Sequence, residues 1–150
     1  MSAPVVRTQT GNIATLTLNR PEEFNVLSVE MMTAFRAALR EIEQDESVHV
    51  VIIRAEGRGF CAGHDLKEMH ARRTDNDRGE AFFRELFAQC TDLMNAITGL
   101  PQPVIAEVHG TAVAAGCQLV SSFDMAMAAS SARFGVHGID VGLCFSNTLV

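Results

Sequence analysis

Residues 48–69, "VHVVIIRAEGRGFCAGHDLKEM", decide the fold class. The first eight residues are short, apolar and β-branched, the pattern of a strand buried on both faces of a parallel sheet. A glycine-broken loop, 56–64, follows. Asp65 and Glu68 then stand at capping-box spacing, so a helix is expected from Leu66. Residues 103–120, "PVIAEVHGTAVAAGCQLV", repeat the arrangement: a buried strand over 103–108, a turn at Gly110, and a short helix near Val113. A strand that feeds a glycine loop and then a helix, twice, predicts an α/β fold with a largely parallel sheet.

The rest of the chain fits this frame. "VVRTQTGNIATLTLN" (5–19) reads as two strands around Thr10-Gly11-Asn12, with Thr15 and Thr17 alternating with Leu16 and Leu18. Ser28 can cap a helix on which Met31, Phe35, Ala38, Leu39 and Ile42 recur at helical spacing. Residues 71–80, "ARRTDNDRGE", read as a mobile polar surface segment. Phe82, Leu86, Cys90, Leu93 and Ile97 mark a second long helix, ended by Gly99 and Pro101. "DMAMAAS" (124–130) is a small strand and "ARFGVHGIDVG" (132–142) a glycine-broken loop.

Composition narrows the partners. A chain of 150 residues with 47% apolar and 20% charged residues has enough material for one domain with a core. A net charge of −6 argues against nucleic acid or an anionic membrane as the main partner. The N-terminal stretch lacks a signal-peptide pattern, and no apolar run is long enough to span a bilayer. Cys61, Cys90, Cys117 and Cys144 never form a CxxC pair, which reads as reduced thiols in a cytoplasmic setting, a mitochondrial one being the alternative. From Pro101 onward the only charged residues are Glu107, Asp124, Arg133 and Asp140. An apolar third of this kind belongs at the centre of the fold, under partner chains, or in the first part of a longer protein.

The loop 56–64 admits several chemistries. Ligands of parallel α/β sheets bind beyond the carboxyl ends of strands, where helix N-termini present free N–H groups. Two such ends side by side could grip one oxyanion; ordinary turn chemistry is the alternative. Nucleotide binding fits poorly, because G-x-G-x-x-x-G is one residue off the dinucleotide fingerprint and no Walker lysine follows. Zinc fits poorly too: Cys61 and His64, with His70 and Cys117 available, have no second pair at ligand spacing, so no metal is expected. A Cys61–His64 nucleophile is disfavoured because the apolar setting after Phe60 raises a thiol pKa.

"LNRPEEFNVLS" (18–28), "FCAGHDLKEM" (60–69) and "VIAEVHGTAVAAGCQLV" (104–120) resemble successive motifs of the crotonase, or enoyl-CoA hydratase/isomerase, superfamily. The likeness runs from about Ile13 to Gly142. It implies a spiral of ββα units, followed in the family by a helical region that assembles trimers or hexamers. That region is absent from these 150 residues, so 1–150 is expected to be an acyl-CoA-binding core, the N-terminal part of a longer family fold. The resemblance also implies a coenzyme A thioester as substrate, with no further cofactor, and an enolate oxyanion held by two backbone N–H groups. These would be the amides of His64 and Ala115. The adenine and pantetheine would lie along Glu23, Phe24, Ala62, Asp65, Leu66 and Lys67.

The chain departs from the family's pattern at both catalytic glutamates. Gln118 stands at the first position and Gly138 at the second. Glutamine exchanges no proton near neutral pH, and glycine offers no group at all. His137 and Asp140 adjoin the second position and are candidate replacements. His109 is expected to be structural. The resemblance therefore implies a hydratase-type lyase or isomerase in which efficient hydration is in doubt; the alternative is a non-catalytic acyl-CoA-binding or regulatory relative.

Overall fold

A computed structural model describes residues 2–136. The chain opens with a hairpin, β1 (Val5–Thr10) and β2 (Ile13–Leu18), paired antiparallel around a turn in which Gly11 has φ +58°. A single 3₁₀ turn, Pro21–Glu23, leads to α1 (Val29–Glu43), capped by the Ser28 side chain, which accepts from the Met31 N–H. The buried run becomes β3 (Val50–Ala55) and is followed by a three-residue strand, β4 (Gly59–Cys61). Two helices come next, α2 (Leu66–Arg72) and α3 (Glu80–Thr98). The second repeat supplies β5 (Val104–Val108), β6 (Thr111–Val113) and α4 (Ala115–Ser121). The chain then runs through β7 (Met125–Ala128) and β8 (Arg133–Gly135).

The strands form two sheets. One has the order β1-β2-β3-β5-β7, with every pair after the hairpin parallel. The other is β4-β6-β8, also parallel. Three successive passes of the chain each lay one strand in the large sheet and then one in the small sheet, and a helical segment returns the chain after each of the first two. This is the expected spiral of ββα units. The small sheet is the part that residue patterning misses. Residues 59–61 and 133–135 read as loop, and 111–113 as a turn into a helix. Three residues are too few to show a period of two, and each of these strands has a glycine in it or next to it.

Burial follows the predicted faces. Leu16, Leu18, Val51, Ile53, Val104, Ala106 and Val108 of the large sheet are buried with Met31, Phe35, Leu39 and Ile42 of α1 and with Leu86, Cys90, Leu93 and Ile97 of α3. Met32 and Met94 join this core, whereas Phe82 and Ala38 lie at its margin. Segment 71–80 is exposed, as expected, except at Gly79, but its ends belong to α2 and α3 and 73–79 is folded into turns; the Asp77 carboxylate accepts from Gly79 and Ala81 N–H at 2.9 Å each and so starts α3.

One polar residue inside this apolar mass orders the entry to α1. Asn25 is fully buried in the left-handed region, φ 52°, which Asn tolerates better than most residues. Its Oδ1 accepts from Arg20 N–H at 2.8 Å, and its Nδ2 donates to the carbonyls of Glu56 and Gly59 at 2.9 and 3.0 Å. It thereby pins the segment before α1 to the loop between β3 and β4. Asn25→Ala leaves these groups without partners and removes a side chain suited to the backbone. The expected loss is about 3 kcal/mol, read from urea unfolding of both proteins.

Candidate functional site

The site forms where β4 and the start of α4 touch backbone to backbone. A side-chain carbon on Gly116 would overlap the Cys61 carbonyl oxygen, so only glycine lets α4 begin there. Gly63 faces the same junction with φ +90°; a carbon on it would meet Ala114 Cβ at 3.0 Å and Ala115 N at 3.2 Å. The two glycine loops read from the sequence are thus in direct contact. Ala114, the residue before α4, has φ 52° and ψ −128°, a conformation that costs a residue with a Cβ of order 1–3 kcal/mol. Its own N–H is held by Gly135 O of β8 at 2.8 Å, while its carbonyl accepts from both Cys117 and Gln118 N–H.

Segment 24–29 supports the loop from the other side. Ala62 N–H donates to Phe24 O at 3.0 Å and Leu27 N–H to Gly63 O at 2.7 Å. The His64 ring lies half-buried, with Nδ1 3.4 Å from Leu27 O and its plane edge-on to Phe87 at 5.5 Å between centroids. Burial lowers its pKa, opposed by the hydrogen bond to Leu27, so the ring is neutral at neutral pH. These contacts make the ring a prop for the loop. The backbone N–H groups of His64 and Ala115 donate to no acceptor among the described residues. Their peptides flank the Gly63–Ala114 contact.

The other predicted residues fall as follows. Glu23 and Phe24 lie on the exposed turn before α1, with Arg58 stacked 5.3 Å over the Phe24 ring. Through the Ala62–Phe24 bond this turn adjoins Ala62, and the chain continues into Asp65, Leu66 and Lys67 at the start of α2, so these six residues occupy neighbouring segments beside the loop. Asp65 Oδ1 accepts from Lys67 and Glu68 N–H at 2.8 and 3.2 Å and is therefore a cap, as expected. The expected return bond from Glu68 is not made to Asp65; the carboxylate reaches across to Val29 N–H. Gln118 is half-buried on α4, and its side chain has no hydrogen-bond partner among the described residues. His137, Gly138 and Asp140 lie outside the described residues.

Cys61 is fully buried in β4 and its thiol is pushed up to about 12, so it packs as a small apolar residue. No three His, Cys, Asp or Glu side chains gather as a metal site among the described residues. His109 Nε2 is 2.8 Å from Gly57 O, the structural contact expected of it. Residue types alone missed Ala114, Phe87 and Asn25. None of the three leaves a signal in residue type alone; the positive φ of Ala114 is visible only in the structure.

Residues 8–148 match the sequence model of a family described as enoyl-CoA hydratase/isomerase. The chain is 42% identical over 135 residues to the Xenopus laevis protein named enoyl-CoA hydratase domain-containing protein 3, mitochondrial, covering 90% of this chain and 44% of that one. It is 35% identical over 131 residues to the 1,2-epoxyphenylacetyl-CoA isomerase of Escherichia coli K12, covering 87% of this chain and 49% of that one. The crystal structure of an enoyl-CoA hydratase from Mycobacterium smegmatis superposes with a TM-score of 0.87 at 48% identity, over 95% of this chain and 54% of that chain. The chain thus spans about half the length of the proteins it matches.

Two outcomes test the geometry. Ala114→Gly removes the strain at φ 52° and is expected to stabilise the fold by about 1 kcal/mol in urea unfolding. The depressed pKa of His64 makes its protonation unfavourable in the folded state. Its contribution is therefore fully present above the ordinary histidine pKa, about 6.5, and is lost as pH falls below it toward the folded-state value. Thermal melts between pH 8 and 5 should show a smaller acid-side loss for His64→Gln than for the wild type.

Proposed function

The chain belongs to the enoyl-CoA hydratase/isomerase family, and from that premise we propose that it binds an acyl-CoA thioester and stabilises the enolate oxyanion of that thioester with the amides of His64 and Ala115. One observation carries this reading: two N–H groups without acceptors among the described residues flank the close contact of Gly63 with Ala114 and Ala115. Donors that are already aimed at a developing charge stabilise a transition state more than a ground state, because nothing has to reorganise during reaction. Each such donor contributes roughly 10²–10³ in rate.

Residues 1–150 are read as the acyl-CoA-binding core, with Glu23, Phe24, Ala62, Asp65, Leu66 and Lys67 along the nucleotide and pantetheine. Ala62 offers its carbonyl there, since its N–H already serves Phe24. The reading asks for no metal and no cofactor beyond the coenzyme A of the substrate. It includes a homo-oligomer, trimer or hexamer, to be measured by light scattering. It places the protein in the cytoplasm; the names of the vertebrate relatives favour a mitochondrial location as the alternative. No helix among the described residues is long and apolar enough to cross a membrane.

Proton transfer divides the reading in two. Gln118 stands where a carboxylate would act, and its amide is neither an acid nor a base near neutral pH. His137 and Asp140 are the proposed replacements. The loss of both glutamates, to Gln118 and Gly138, also favours a second reading, a non-catalytic acyl-CoA-binding or regulatory relative.

Crotonyl-CoA separates the two, followed by loss of the conjugated thioester absorbance. The expected outcome is slow turnover by the wild type and at least tenfold faster turnover by Gln118→Glu, a carboxylate restored beside an intact trap. Ala115→Pro deletes one donor at the first helical position, where proline is tolerated, and should lower turnover by about 10²-fold while circular dichroism stays unchanged. Unchanged turnover by a folded Ala115→Pro protein overturns the oxyanion assignment. Calorimetric binding of crotonyl-CoA without turnover in wild type and Gln118→Glu favours the second reading.

A further inference from the structure

Glu68 is not part of the cap of its own helix. Its Oε2 accepts from the Val29 N–H at 3.2 Å, across 39 residues of chain, while Asp65 alone caps α2. Val29 is the first residue of α1, and its N–H is one of the orphan donors every helix start leaves. Ser28 satisfies Met31 of the same turn, so the cap of α1 is shared between its own serine and a carboxylate from α2. A negative charge at this helix start is also favoured by the α1 dipole.

The consequence falls on His64. Segment 27–29 and segment 63–68 are joined at one end by Leu27 N–H to Gly63 O at 2.7 Å, and near it by the His64 ring to Leu27 O at 3.4 Å. The Glu68–Val29 bond closes the other end. The peptide carrying the His64 N–H is itself one end of this clamp, because its carbonyl is the Gly63 O that Leu27 holds, and the Glu68–Val29 bond fixes the helix start that follows it. We propose that Glu68 is a positioning residue: by holding the first turn of α2 to the start of α1 it fixes the direction of the His64 N–H. The proposal rests on the oxyanion reading given above. Glu68 touches no reacting atom in it.

The test uses the 150-residue chain and two ligands, acetoacetyl-CoA, whose enolate carries the oxyanion, and coenzyme A, which has no acyl carbonyl. Glu68→Ala should weaken acetoacetyl-CoA binding by about tenfold relative to coenzyme A. It should also shift the His64 amide resonance in ¹⁵N spectra without ligand. Glu68→Gln keeps an acceptor for Val29 and should restore both within about twofold. A purely structural role would lower the melting temperature of Glu68→Ala while leaving the affinity ratio and the His64 resonance unchanged, and that result overturns the proposal. If Glu68→Ala does not fold, Glu68→Asp, one methylene shorter, takes its place with the same two readouts. If the wild-type His64 resonance does not respond to acetoacetyl-CoA, the oxyanion reading fails; the ligand-free shift in Glu68→Ala then still decides whether Glu68 sets this amide.

Discussion

The structure depends on a backbone contact that no side chain could survive. Gly116 brings the first turn of α4 against the Cys61 carbonyl, and Gly63 brings its loop against Ala114 and Ala115. Each approach removes a Cβ that would otherwise hold the chains apart. Because β4 and β6 are neighbours in the small sheet, their C-terminal ends arrive side by side, and the contact turns two unrelated loops into one site. The large sheet, α1 and α3 supply the buried apolar mass that makes this arrangement rigid.

Around that contact, polar groups are arranged to hold backbone. Asn25 satisfies three main-chain groups from a fully buried position, Asp65 caps α2, and Glu68 caps α1 from a different helix. The His64 ring is fixed by a carbonyl and a phenyl edge. The lowered pKa of His64 and the raised pKa of Cys61 follow from burial, and both side chains work as packing groups. Among the described residues, the main-chain N–H groups of His64 and Ala115 remain without acceptors. The proposed oxyanion trap is made of backbone, and α4 is held by glycine contacts and by Ala114, none of which involves the Gln118 side chain.

Much of this was legible from residue order. Period-two alternation marked β2, apolar runs marked β3 and β5, and period-3.6 spacing marked α1 and α3, because five to nineteen residues are enough for burial to leave its mark. Ser28 and Asp65 were legible as caps because capping is local. The small sheet was not, since its three-residue strands carry no period. The partner of Glu68 was not either: the capping-box spacing pointed to Asp65, and a helix 39 residues away outcompeted it.

The amino-acid sequence by itself determined the α/β class, the two strand–loop–helix repeats and the family. These depend on local spacing and on glycine, whose conformational freedom is a property of the residue. Only the tertiary structure decided that the two glycine loops meet, that Ala114 carries the strain of the α4 start, that Asn25 lies at the centre of a buried knot, and that Glu68 serves α1. Those facts arise from backbone surfaces far apart in sequence closing on one another, where the partner of a polar group is set by proximity in three dimensions.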